Sequence, residues 1–102
     1  MKLSEIAAYV KSANAGPYLL TLDVGFRTEV DFKRFVDADV INPELISKLY
    51  PIDASDVNVY NYEPAFVIKI TIPRAEASAA LGERDFDGVQ QFAPLLDIEA
   101  PH

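Results

Sequence analysis

The sequence predicts an α+β domain of ferredoxin-like type, in the order αβααββ, with its helices layered on one face of a sheet. Three observations predict it. Helical and strand periodicities alternate along residues 1–73, two helix-start signals stand between the first strand and a later pair, and that later pair is so closely spaced that it forms an antiparallel hairpin.

Leu3, Ile6, Ala7 and Val10 fall at i, i+3, i+4 and i+7, so a helix with Ser4 as N-cap is expected over about Ser4 to Ala13. Gly16 and Pro17 then stop it. Leu20, Leu22, Val24 and Phe26 alternate with Thr21, Asp23 and Gly25, the period of a strand with one apolar face, over about Tyr18 to Phe26. Thr28 and Asp31 resemble a capping box, and Phe32, Phe35 and Val36 recur at helical spacing, giving a helix over about Glu29 to Ala38. Asn42, Pro43 and Glu44 combine an N-cap, a proline at the first helical position and an acid in the first turn. Leu45, Ile46 and Leu49 form the buried side of that helix until Pro51 ends it.

Val57, Val59 and Asn61 alternate with Asn58, Tyr60 and Tyr62, and a turn at Glu63 and Pro64 leads into Phe66, Ile68, Ile70 and Ile72. Proline donates no amide to a ladder, which places Pro64 in the turn. A strand, two helices and a further strand make a crossover unit, with both helices on one face.

Residues 74–102 differ in kind from the core at 1–73. They carry two Arg against six acids, and 2 − 6 = −4 is more than half of the chain's net charge of −7. Yet Leu81, Phe86, Val89, Phe92, Leu95, Leu96 and Ile98 are large and apolar. Ala75 to Leu81 fits about two helical turns, and Leu95 to Glu99 fits an edge strand. With little regular structure and this much apolar surface, the tail is expected to dock, on its own sheet or on another chain, through Leu81, Phe86, Val89, Phe92, Leu95 and Leu96.

Composition excludes whole classes of chemistry. The 102 residues include no Cys and a single His, so disulfides, thiol nucleophiles and a multi-His metal site within one chain are ruled out. A pI near 4.5 argues against nucleic acid and anionic membranes as partners. No apolar stretch is long enough to span a bilayer, and Glu5 and Lys11 interrupt any secretory signal, so a cytoplasmic location is expected. Neither a metal nor a cofactor is expected: Glu83, Asp85 and Asp87 lack the spacing of a calcium loop, and no phosphate loop or nucleophile elbow occurs.

Two groups of residues remain as candidates. Asp23 and Lys69 fall on the sheet face opposite the helices; such a pair does acid–base work when desolvated, and is otherwise an ion pair worth under about 1 kcal/mol. In the tail, Arg74 and Arg84 can grip a carboxylate or phosphate while Gln90 and Gln91 orient it, with Asp85 as a further acid.

Three stretches, SANAGPYLLTLDVGF at 12–26, INPELISKLYPIDASDVNVYNYEPAFVIKITIPR at 41–74 and GERDFDGVQQFAPLLDIE at 82–99, carry a resemblance. They are similar to a small domain-of-unknown-function family found beside, or fused to, the acyclic-terpene-utilisation protein AtuA. The run G-x-x-D-x-x-G-x-Q-Q-x-A-P-L-L is the most specific piece. The resemblance implies a small partner subunit of a larger AtuA-like protein and, by association, the catabolism of branched or terpenoid carboxylic acids and their CoA thioesters. The family tends to have His after the Gln pair, whereas Phe92 stands here, which implies a packing role at that position.

The leading expectation is therefore an accessory subunit that is not an enzyme on its own, non-catalytic or completing its partner's site, docking by its open sheet face and its tail on a larger AtuA-like protein, and forming a homo-oligomer when alone. The alternative is a small hydratase, lyase or half-site acting on an acyl-CoA or hydroxy acid through Asp23, Lys69, Arg74 and Asp85. A carboxylate-sensing module is the third.

Overall fold

The computed structural model describes residues 1–15, 19–50, 52–73 and 93–101. Its elements are α1 (Leu3–Ile6), β1 (Ala7–Asn14), β2 (Leu19–Phe26), α2 (Glu29–Asp37), α3 (Pro43–Leu49), β3 (Asn58–Tyr62) and β4 (Val67–Pro73), with short 3-10 turns at Ala54–Asp56, Glu63–Ala65 and Ala93–Asp97. The class is α+β: a four-stranded antiparallel sheet, in the order β1-β2-β4-β3, and helices.

The expected helix over Ser4 to Ala13 is the main correction. It is one turn long, and Ala7–Asn14 is a strand paired with β2, from Val10 opposite Val24 to Asn14 opposite Leu20. Beyond the first turn, the helical stripe has only Val10 to offer the core, whereas an extended chain satisfies the backbone edge of β2 and suits Tyr9 and Val10. The register shifts between Ala7 and Tyr9, and this irregularity joins the helical turn to the strand. The observed order is thus αββααββ rather than αβααββ.

The other elements follow their local signals. Thr28 accepts the Asp31 N–H at 3.2 Å and Asn42 accepts the Leu45 N–H at 2.8 Å, so both helix starts are capped by side chains. Pro64 sits in the Glu63–Ala65 turn, which ends at Phe66 with φ 55°. That left-handed residue aims its carbonyl at the Phe26 N–H, 2.9 Å away, and closes the end of the β2–β4 pair.

Alternation divides the sheet into two faces. Leu20, Leu22 and Val24 of β2 and Ile68, Ile70 and Ile72 of β4 are buried against Phe32 and Phe35 of α2 and Ile46 of α3. Both helices therefore lie over the same face, as expected. β4 lies between β2 and β3, so the strand that follows the two helices does not pair with the strand that precedes them.

The C-terminal segment also departs from expectation. Leu95 to Glu99 is not an edge strand; Ala93–Asp97 is a 3-10 turn, followed by a single bridge from Glu99 to Lys2. The Leu3 N–H donates to the Ile98 carbonyl at 2.7 Å and the Ala100 N–H to the Met1 carbonyl at 2.8 Å. Leu95 is fully buried in the chain's own core, and Ile98 and Ala100 join it. A short run with one carbonyl and one amide tied to the N-terminus, and large apolar groups pointing inward, satisfies these backbone groups without a ladder.

Candidate functional site

The face opposite the helices is uncovered by any described helix. Antiparallel register sets its residues in rows across the sheet. The central row runs Lys11, Asp23, Lys69, Tyr60; one neighbouring row runs Tyr9, Gly25, Val67, Tyr62, and the other Ala13, Thr21, Thr71, Asn58.

Each side chain is placed by a local cause. Gly25 has no Cβ, and the Tyr9 ring lies in the space that one would fill. The Lys11 Nζ stands 5.1 Å from the centre of that ring, a cation–π contact, so Lys11 is drawn along its own strand rather than onto Asp23 across from it. Lys69 reaches Asp23 instead, with its Nζ 3.5 Å from Oδ2. The two ends of this ion pair differ: the Lys69 side chain is 48% exposed and that of Asp23 17%. The other Asp23 oxygen, Oδ1, is buried and has no hydrogen-bond partner among the described residues. Tyr60 ends the central row on β3, and its ring centre is 6.4 Å from that of Tyr62 in the neighbouring row.

The predicted Asp23–Lys69 pair is thus brought together, on the predicted face. What periodicity does not reveal is the Tyr9–Lys11 half of the site, because the spacing of Leu3, Ile6, Ala7 and Val10 places those residues in a helix. The strand reading was available in the alternation of Tyr9, Lys11 and Ala13 with Val10, Ser12 and Asn14, whose polar members weaken it as a core-facing stripe. Of the other candidates, Leu96 is half-buried beside the buried Leu95, while Arg74, Leu81, Arg84, Asp85, Phe86, Val89, Gln90, Gln91 and Phe92 lie outside the described residues. The expected helix over Ala75 to Leu81 lies outside them too.

This arrangement offers two cations and one half-buried carboxylate on an open face, a local balance of +1 in a chain of −7. Acid–base catalysis needs a recess that excludes water and brings two groups to within about 3 Å of one reacting atom. Two concavities among the described residues lie elsewhere. One, of about 300 Å³, is lined by Glu29, Phe32, Lys33, Glu63, Pro64 and Phe66. There the Glu29 carboxylate, 3.0 Å from the Lys33 Nζ, accepts its hydrogen bond and raises the ammonium's pKa. The other, of about 380 Å³, lies between α3 and the C-terminal segment and is lined mainly by Val40, Leu45, Leu49 and Ile98. Among the described residues no cluster of three or more His, Cys, Asp or Glu could hold a metal ion, and no helix is long and apolar enough to cross a membrane.

Residues 3–99 match the sequence profile of DUF4387, a domain of unknown function. The chain belongs to the DUF4387 family. The match spans α1, the whole sheet and the C-terminal turn, so the rows of the open face and the cis-docked segment both lie within the family domain. No curated protein and no solved structure matches the chain.

Proposed function

We propose that this DUF4387 domain is an accessory subunit without catalytic activity of its own, which docks its uncovered sheet face on a larger AtuA-like protein acting in the cytoplasm on carboxylic acids or acyl-CoA thioesters. The observation that carries the reading is the Asp23 carboxylate, with one oxygen on Lys69 and the other buried without a partner among the described residues. A buried acceptor left unpaired costs about 1–3 kcal/mol, and a donor from a docked surface recovers it. Tyr9, Tyr60 and Tyr62 around it are 42%, 60% and 41% exposed, aromatic anchors of the kind that interfaces favour. The larger partner is named by the resemblance of residues 12–26, 41–74 and 82–99.

Co-expression with the AtuA-like protein of the same genome, followed by affinity capture and size exclusion, tests it. The two chains should elute together, and Asp23→Lys and Lys69→Glu should each weaken the complex about tenfold or more, since each unpairs a desolvated charge. Separate elution, or both variants binding as the parent does, contradicts the reading.

The same pair favours a second reading, a half-site in which Asp23 accepts from a substrate hydroxyl and Lys69 holds a carboxylate, with Arg74 and Asp85 contributing from the tail. If Lys69→Ala leaves turnover by the complex unchanged, that reading fails.

A further inference from the structure

Among the described residues two strands end the sheet, β1 and β3, and they are defended unequally. Edge strands expose unpaired amides, and proteins guard them with bulges, charges and prolines. β1 has the irregularity between Ala7 and Tyr9 and carries Lys11. β3 reads Asn-Val-Tyr-Asn-Tyr, with no charge, no proline and an unbroken register against β4, its one extensive neighbour among the described elements.

Hydrogen-bond parity fixes which groups that edge presents. The Phe26 N–H donates to the Phe66 carbonyl and the Ala15 N–H to the Leu19 carbonyl. Bonded pairs recur at every second position of an antiparallel ladder, so Leu20, Leu22 and Val24 bond to Ile72, Ile70 and Ile68. Thr71, Lys69 and Val67 then turn their amides the other way, to Asn58, Tyr60 and Tyr62. The N–H and C=O groups of Val59 and Asn61 are left pointing out of the sheet.

We propose that β3 pairs antiparallel with β3 of a second copy about a two-fold axis at Tyr60, joining two sheets into one of eight strands. In that register Val59 of each copy faces Asn61 of the other in a hydrogen-bonded pair, and the four outward groups of each copy are satisfied. Tyr60 meets Tyr60 of the second copy in the non-bonded pair, where side chains come closest and aromatic pairs stabilise. The occupant is a second copy because the strand is self-complementary in this register and because it is uncharged. Two chains of −7 repel, so a seam between them belongs where the acids are absent, whereas a partner chosen by charge would meet a charged edge. Asp56 and Glu63 flank the strand ends, and their repulsion across the seam makes the pairing tighten with salt. The inference does not rest on the docking of the open face, since it uses the edge and not Asp23 or Lys69.

Sedimentation of the full chain alone tests it. A concentration-dependent monomer–dimer equilibrium is expected, in the micromolar range because so short a seam falls below the standard interface size. Tyr60→Lys and Tyr60→Glu should each raise the dimer Kd at least tenfold by placing like charges at the axis. Mixing the two variants should restore a dimer containing one of each. Circular dichroism confirms that both variants are folded, which exposed positions on an edge strand allow. A parent that stays monomeric throughout, a Tyr60→Lys chain that dimerises like the parent, or folded variants that fail to pair when mixed each overturns the inference.

Discussion

At Gly25 a single missing Cβ leaves the space that the Tyr9 ring occupies. Alanine there drives a methyl into that ring, so Gly25→Ala should lower stability by about 1 kcal/mol, read as a shift in Tm of several degrees for a domain of this size. The loss should largely vanish in a Tyr9→Ala background, and a double-mutant cycle by thermal denaturation measures the coupling. A full loss in both backgrounds would separate the glycine from the ring. Tyr50, fully buried, predicts a pH effect. Burial pushes its phenol above the ordinary tyrosine range, so the folded state holds the proton more tightly than the unfolded one. The stability this contributes is fully present below about pH 10, the unfolded value, and declines as pH rises beyond it. Urea titrations at neutral and alkaline pH should show a steeper alkaline fall for the parent than for Tyr50→Phe.

At the scale of the element, a signal was legible where one residue type has one local use. Thr28 and Asn42 announce caps and become caps, so Thr28→Ala and Asn42→Ala should each cost about 1 kcal/mol in denaturant unfolding. Period two alone places Asp23 and Lys69 on one face, and the non-local β2–β4 register then sets them opposite each other. The first helix was illegible for the opposite reason: Leu3, Ile6, Ala7 and Val10 satisfy helical spacing, but the open edge of β2 is a tertiary fact that no local window contains, and it decides the matter for Ala7–Asn14. The same blindness concealed Tyr9 and Lys11 as members of the site. The C-terminal turn was half legible, since its apolar content announced docking but not that Leu95 docks in cis. Leu95→Ala should therefore cost about 2–5 kcal/mol in the isolated chain. An effect under about 0.5 kcal/mol, the range of surface substitutions, would show that the segment does not belong to the fold.

For the whole molecule, the core takes one face of the sheet and leaves the other to Lys11, Asp23 and Lys69, ringed by tyrosines. Among the described residues, that face exposes aromatic and charged side chains of the kind that contact surfaces use. The net charge of −7 is unevenly spread: −1 over residues 1–50, −2 over 51–73 and −4 over 74–102, while the central rows of the open face are net positive. Contact through that face therefore suits an acidic or polar partner surface. Side-chain footprinting of the proposed complex with the AtuA-like protein tests this most directly, by lysine acylation and tyrosine oxidation with and without that protein. The account predicts that Lys11, Lys69 and Tyr9 become protected while Lys33, on α2 across the core, reacts as before. Protection of Lys33 with Lys11 and Lys69 unchanged would place the interface on the helical side and contradict it.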